Sequence, residues 1–300
     1  MFSHKTDIKI YVENLPITNM STTSITIDNS IIDTSNNSIT TNNINSILFL
    51  CVFDYGSREL GLNHLTSLVK NGIHNYVAYV TDHKTYKYIK NNGFNVVLED
   101  IEENKTSKKA KEFGTRDFNM FSYIRYKIIH RLLEKNKWVW YMDADTVVMP
   151  GIHDVDMKPY MEKDIVFQHD CHMICTGCAL YKSNMRTTGF TYFMWKNMTD
   201  ALNDQNFMVE LYKSGKLNGL FIETFDYIEF PNGLLYFDIE DSIPVPPEIM
   251  ELKRIYRANI ANKKTAFVHA NWMIGIDVKI KALKAFNLWD FVNNDKCLFF

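Results

Sequence analysis

No stretch of this 300-residue chain stays apolar long enough to cross a bilayer, and the longest hydrophobic run near its front, Ile47 to Phe53, is strand-sized. The amino terminus, MFSHKTDIKIYVENLP, lacks both the basic start and the apolar centre of a secretory signal, so a cytoplasmic setting is expected. Cysteine is scarce: five residues, an odd number scattered along the chain, argue against a disulfide framework and for a reducing compartment. The four N-x-S/T sequons, at Asn19, Asn36, Asn104 and Asn197, then count as chance occurrences in a chain rich in Asn, Ser and Thr. A net charge of −2 provides no basic field for nucleic acid or an anionic bilayer, so an anionic ligand must be met by local groups. Internal repeats are missing, and no linker follows residue 47.

What is present is a globular composition, 46% hydrophobic and 23% charged, with 14% aromatic residues that suit a filled core or flat, sugar-like ligands. Between Ile17 and Ser46, 20 of 30 positions are Asn, Ser or Thr, too little apolar mass for a packed core. That segment reads either as a disordered arm or, because Ile and Thr favour strands, as an edge hairpin. Residues 1–46 are therefore set apart as an extension, and residues 47–300 as one domain.

From Ile47 the pattern becomes βαβ: strands ILFLCVF, NYVAYVTD and FNVVLED alternate with helices LGLNHLTSLVKNG and KTYKYIKNNG, each helix closed by a glycine. Such alternation implies a parallel sheet with crossover helices. After a Lys-rich loop, Asn104 to Lys111, a long amphipathic helix is expected, capped by Asp117 and buried along Phe118, Phe121, Ile124, Ile128, Ile129, Leu132 and Leu133. Later strand signals, DIVFQ and CALYK, are interleaved with an aromatic helix around Phe190 to Met198. A final strand, TAFVHANW, leads into a helix from Asp277 to Phe291.

Three places carry candidate chemistry. In WVWYMDADTVVMPG a buried strand stops at Asp143 and Asp145, and ionised carboxylates there need water, a partner or a metal. A strand end is where ligand sites of α/β folds lie, and two carboxylates converging at the turn can hold one hard cation and leave room for phosphate oxygens. Asp-x-Asp alone is common, and a solvated turn is the alternative. The second place is FVHANWMIGIDVKIKALK, where His269 ends an apolar strand and Asn271, Gly275 and Lys279 lead into a helix. A strand-end His can complete a metal site, and a Gly and a Lys at a helix start suit phosphate. The third is Asp204-Gln205, an acid–amide pair able to hold sugar hydroxyls or simply to cap a helix.

Taken in order, the helix carrying Lys127, WVWYMDADTVV, CTGCALYKSN, the Asp204-Gln205 pair, FPNGLLYF and H-x-N-x3-G-x3-K closely resemble the nucleotide-diphospho-sugar transferase family of GT-A glycosyltransferases, the group that includes plant cell-wall xylosyl- and arabinosyltransferase relatives. The resemblance covers about residues 47 to 291, and its His-Ala-Asn-Trp ending is far more specific than Asp-x-Asp. It implies an α/β, Rossmann-like fold with a mostly parallel mixed sheet flanked by helices. It also implies Mn²⁺ or Mg²⁺ bound by Asp143, Asp145 and His269 together with the donor diphosphate. Asp143 would further face the ribose, Lys127 the nucleotide end, Asn271, Gly275 and Lys279 the diphosphate, and Asp204 and Gln205 the donor sugar. The implied reaction moves a sugar from a nucleotide-diphosphate donor, UDP foremost, with retention, to a glycan, protein or small-molecule acceptor whose site lies around residues 205 to 250. Whether Asp204 is nucleophile or binder stays open.

Three departures stand out: Cys175-Thr176-Gly177 replaces the family's usual Asn-Ser/Thr-Gly, the Asn/Ser/Thr-rich arm has no counterpart in the family, and the membrane anchor general among eukaryotic members is not expected here. Cys171, Cys175 and Cys178 also match the C-x3-C-x2-C spacing of radical SAM iron–sulfur enzymes, although Gly177 fills a slot usually aromatic there and eight-fold βα alternation is missing. Zinc held by these thiols with His169 or His172 would be irregularly spaced. A catalytically inactive nucleotide-sugar-binding protein is the non-enzyme alternative. Glycogenin- and galactinol-synthase-like enzymes share the Asp-x-Asp strand, but Asn271-Trp272 and the long spacing to Lys279 favour the first family.

Overall fold

A computed structural model describes residues 44–99, 115–171, 173–197, 199–237, 247–262 and 264–291. The Lys-rich loop and all but the last three residues of the Asn/Ser/Thr-rich segment lie outside them. The strands are β1 Leu48–Phe53, β2 Tyr76–Val80, β3 Val96–Leu98, β4 Trp138–Met142, β5 Thr146–Val148, β6 Ile165–Asp170, β7 Met173–Lys182, β8 Ile222–Thr224 and β9 Phe267–His269. The helices are α1 Arg58–Lys70, α2 His83–Asn91, α3 Arg116–Leu133, α4 Lys158–Met161, α5 Met185–Lys196, α6 Asp204–Lys213, α7 Gly233–Tyr236, α8 Pro247–Asn259 and α9 Ile276–Ala285. None of the described helices is long and apolar enough to cross a membrane.

The expected α/β class holds. Seven strands form one sheet in the order β3-β2-β1-β4-β7-β6-β8, with β3, β2, β1 and β4 mutually parallel and β7 antiparallel to both β4 and β6. β1 and β4 read as unbroken apolar runs because both faces are covered, and every residue in them is buried. Alternate residues serve opposite layers: Phe49 and Trp140 join one core with Phe225, Phe230 and Phe267, while Leu50, Val139 and Tyr141 join another with Tyr123 and Tyr126 of α3. Trp140 is stacked between Phe49 and Phe225, at 5.4 and 5.1 Å.

α3 is capped by Thr115, which accepts from the Phe118 N–H; Asp117 lies in the first turn instead. Its expected stripe is rotated. Tyr123, Arg125, Tyr126, Ile128, Ile129 and Leu133 are buried, whereas Phe121, Ile124 and Leu132 are only partly so. Pressed between the sheet and α5 and α6, the helix buries a broader face than one stripe of small apolar residues would need.

The parallel strands bring their carboxyl ends to one rim, occupied by Asp54 after β1, Asp82 after β2, Glu99 after β3 and Asp143 after β4. The chain leaves β1 toward β2 and β3, then returns to β4 on the other side, so the crevice between β1 and β4 is a topological switch point.

At the opposite end of the sheet, buried Asp164 accepts from Arg186 (2.7 and 2.9 Å), from Asn184 Nδ2 (2.8 Å) and from the Phe221 N–H (2.9 Å). It thereby ties the start of β6 to α5 and to the segment entering β8. Asp164→Ala would strand the Asn184 and Phe221 donors, while Arg186, with 34% of its side chain exposed, can turn to water. The variant should lose about 2–3 kcal/mol in urea unfolding with an unchanged m-value.

Candidate active site

The strand mouth of β4 is built by a tight turn. The Asp143 N–H donates to Gly177 O (2.7 Å), Thr146 N–H and Oγ1 both donate to Asp143 O, and the chain re-enters extended structure as β5. β5 pairs antiparallel with β9 with Thr146 opposite His269, and the Ala270 N–H donates to Asp145 O (2.9 Å). This two-stranded ladder delivers a residue far along the chain to the two carboxylates. His269 Nε2 lies 3.2 Å from Asp145 Oδ1 and 3.9 Å from Asp143 Oδ2. Ligand atoms of Asp143, Asp145 and His269 all fall within 4.8 Å of one another.

Two carboxylate oxygens and one imidazole nitrogen suit Mn²⁺ or Mg²⁺ better than a thiophilic ion. A Cβ added to Gly177 would collide with Asp143 Oδ2 and stand 2.7 Å from His269 Cε1, so that position admits only glycine while the three groups face each other.

Cations from three elements surround the carboxylates. Lys279 Nζ of α9 sits 2.6 Å from Asp145 Oδ2, and Arg125 of α3 donates to Asp143 Oδ1 (3.1 Å), to Thr176 Oγ1 (3.1 Å) and to Asp204 Oδ2. Tyr141 OH donates to Asp143, and Tyr126 OH to Asp204 at 3.0 Å. Burial alone would raise the Asp145 pKa, but Lys279 and His269 hold it far below the usual carboxylate range. For His269 burial would lower the pKa, and the Asp145 carboxylate overrides it, so the imidazolium is favoured. His64 of α1, behind the turn against Thr146 O (3.1 Å) and Oγ1 (2.8 Å), has its pKa pushed down by burial to about 4.

Of the residues singled out from sequence, the fold gathers Asp143, Asp145, His269, Lys279 and, through Arg125, Asp204. Asp204 is the first residue of α6, buried, with Asn203 as the cap. Gln205 reaches the Thr176 N–H through Oε1 (3.4 Å). Asn271 turns its amide away from the cluster, accepting from the Gly233 N–H (2.7 Å) and donating to Asp170 (3.2 Å). Gly275, at φ +96°, is the α9 N-cap. Lys127 lies 2.8 Å from Glu99 at the end of β3 and is not part of the cluster; Arg125, which sequence reasoning missed, is the α3 cation that reaches it. Its signal was an arginine in register with Phe121, Ile128 and Leu132 on the apolar face.

The three cysteines do not gather. Cys171 contacts Asn232 (3.3 Å), Cys175 contacts His269 Nδ1 (3.7 Å), and Cys178 lies in the Trp140 core; among the described residues the Asp143–Asp145–His269 cluster is the one group able to hold a metal. Burial raises all three thiol pKa values, which opposes thiolate ligation. His172 lies outside the described residues.

Two outcomes follow from this geometry. Gly177→Ala should keep the fold, at a cost of about 1–3 kcal/mol from the added methyl group, and lose most Mn²⁺ affinity in a titration followed by electron paramagnetic resonance. The ion-free protein should show opposed pH limbs in thermal unfolding. Native His64 binds its proton more weakly than the unfolded chain, so stability falls as pH drops from about 6.5 toward 4. Native His269 binds its proton more tightly, so its contribution is complete below the unfolded value and is lost as pH rises through the raised one. His269→Gln should flatten the alkaline limb and spare the acid one.

A glycosyltransferase involved in the glycosylation of the major capsid of PBCV-1 is 13% identical, with 80% of this chain and 99% of that one aligned at a TM-score of 0.45. Galactosyltransferase LgtC, solved with donor and acceptor sugar analogues, is 13% identical over 83% of this chain and 98% of its own, at 0.46. The glycosyltransferase GlyE of Streptococcus pneumoniae TIGR4 is 11% identical over 78% of this chain and 60% of its own, at 0.43. No curated protein matches the sequence. A family model described as nucleotide-diphospho-sugar transferase matches residues 71–283, more than two thirds of the chain, and this protein belongs to that family.

Proposed function

We propose that the chain transfers a sugar from a nucleoside-diphosphate donor, UDP foremost, to a hydroxyl-bearing acceptor, with Mn²⁺ or Mg²⁺ as cofactor and with retention at the anomeric carbon. The observation that carries the reading is the meeting of Asp143 and Asp145, in the turn between β4 and β5, with His269 of β9, beside Lys279 and the Arg125–Asp204 pair. The proposal takes residues 47–300 as the catalytic domain, residues 1–46 as an extension, and the cytoplasm as the setting, the last in keeping with buried free thiols at Cys51, Cys171, Cys175 and Cys178.

In this reading Asp143, Asp145 and His269 hold the divalent ion, which when bound supplies positive charge to the departing diphosphate. Lys279 and the α9 N-terminus beginning after Gly275 add donors and dipole on the same side, and Asn271 holds the loop between His269 and Lys279 in shape. Asp143 also faces the ribose. Lys127, anchored by Glu99 on the rim of β3, serves the nucleoside end. Arg125 pairs with Asp204 at the rim, where the carboxylate stabilises an oxocarbenium-like sugar as the glycosidic bond breaks. Gln205, which accepts from the Thr176 N–H, orients the sugar's hydroxyls. Glycan, protein and small-molecule acceptors all suit a site drawn from residues 205 to 250, of which 238–246 lie outside the described residues.

The test is thermal unfolding with Mn²⁺ and UDP, followed by a screen of UDP-sugars for product with nuclear magnetic resonance of the anomeric proton. UDP at about 100 times its dissociation constant should raise the midpoint by several degrees, because binding to the native state adds about 2.7 kcal/mol. Asp145→Ala should abolish the gain. An α-linked product from an α-linked donor supports retention. The proposal falls if no nucleoside diphosphate shifts the midpoint with Mn²⁺ present.

A further inference from the structure

His269 has two ring nitrogens, and which one carries hydrogen decides whether it can offer a lone pair to a cation. Nε2 faces Asp145 and Asp143, while Nδ1 faces the other way, 2.7 Å from Gln168 Oε1. Gln168 is fully buried at the fourth position of β6, after the apolar Ile165-Val166-Phe167. Its Nε2 lies 3.0 Å from Pro231 O and 3.3 Å from Phe230 O.

Both of those carbonyls can only accept, so the amide nitrogen must point at them and the amide oxygen at His269. The inverted amide would set an oxygen against two carbonyl oxygens and leave both N–H groups aimed at a single imidazole. With Oε1 as acceptor, Nδ1 must be the protonated nitrogen, and in the neutral ring the lone pair lies on Nε2, toward the two carboxylates. The register of β6 against β7 shifts between Phe167 and Gln168, a bulge of the kind that re-aims a side chain beside a site.

We infer that Gln168 is a positioning residue: oriented by the Phe230 and Pro231 carbonyls, it fixes the tautomer and ring plane of His269 so that Nε2 is presented to a divalent cation. The inference rests on the metal-dependent reading above and deepens it. It also gives the Phe230-Pro231 segment a task, since its two consecutive carbonyls orient the amide.

The experiment compares wild type with Gln168→Met and Gln168→Glu. Mn²⁺ binding is followed by electron paramagnetic resonance without nucleotide, and the ring nitrogens are followed in ¹⁵N-histidine spectra with Mg²⁺, the His269 signal being assigned by its loss in His269→Gln. Methionine keeps bulk but offers only a weak thioether acceptor, so Mn²⁺ should bind about 10–100-fold more weakly, while glutamate, which still accepts from Nδ1–H, should lose less. In wild type the neutral ring should carry hydrogen on Nδ1, with the Nε2 signal moving as Mg²⁺ is added. Wild-type binding that Gln168→Met leaves unchanged overturns the role of Gln168 alone. A neutral wild-type ring that carries its hydrogen on Nε2, or an Nδ1 signal that answers to Mg²⁺, overturns it even where the methionine variant fails to fold. A wild type that binds no Mn²⁺ overturns the metal-dependent reading with it.

Discussion

Everything at the site depends on keeping Asp143 and Asp145 charged where the apolar β4 strand ends. Taking even one carboxylate out of water costs several kcal/mol unless charge and hydrogen bonds replace the lost hydration. Here the replacements come from α3, β9 and α9 as Arg125, His269 and Lys279. No two of these cations are neighbours in sequence, so the carboxylates are tolerable only once the whole domain has closed around them. The same dependence makes the cluster poised. Lys279 and the His269 proton sit where a divalent cation would take up Asp145, so a cation entering there exchanges one set of positive charges for another and exposes no naked carboxylate.

Backbone proximity is the second constraint. At Gly177 the strand β7 runs so close to the cluster that a side chain would fill it, and at Gly233 an added Cβ would strike Asn271 O and lie 3.0 Å from His269 O. The loop after β9 is held from both sides: Gly233 donates to Asn271, and buried Asp170 accepts from Asn232 (3.1 Å), Asn271 (3.2 Å) and Trp272 (2.6 Å). Trp272 adopts φ +64°, a left-handed conformation that costs a non-glycine residue about 1–2 kcal/mol, and its indole bond to Asp170 helps offset that strain. The glycines and the buried carboxylate together set where His269 and Lys279 begin.

Much of this was legible in the sequence, and for a reason. Buried parallel strands and their glycine-terminated helices are written in local patterns, so β1, α1, β2, α2 and β4 fall within a residue or two of expectation. Asp-x-Asp at a strand end and H-x-N-x3-G-x3-K are local too, and the fold joins them. The helix α3 was harder. Arg125 and Lys127 are two residues apart, which on a helix turns the side chain by about 200°, so Arg125 meets Asp143 while Lys127 meets Glu99 on the rim of β3. Only the rotated stripe, with Tyr123 and Tyr126 inside, shows which face meets Asp143. Gln168 and Asp170 were invisible because a polar residue inside an apolar strand is explained by partners, and those partners lie some 60 and 100 residues onward.

Asp143 follows β4 of the large sheet, but His269 reaches it from outside that sheet. It belongs to the two-stranded ladder of β5 and β9, whose register places Thr146 opposite His269. Strand side chains alternate faces, so a slip of one residue would turn His269 away and present Val268 or Ala270 to the carboxylates. A ladder of three residue pairs is too short to hold its register unaided. The bonds that prevent the slip come from outside it: His64 against Thr146, Gln168 against His269, Asp170 against Trp272, and Lys279 against Asp145. The buried polar residues around the site thus do for register what the aromatic core does for the main sheet. That accounts for so many polar groups clustering where a fold built for stability alone would have placed apolar ones.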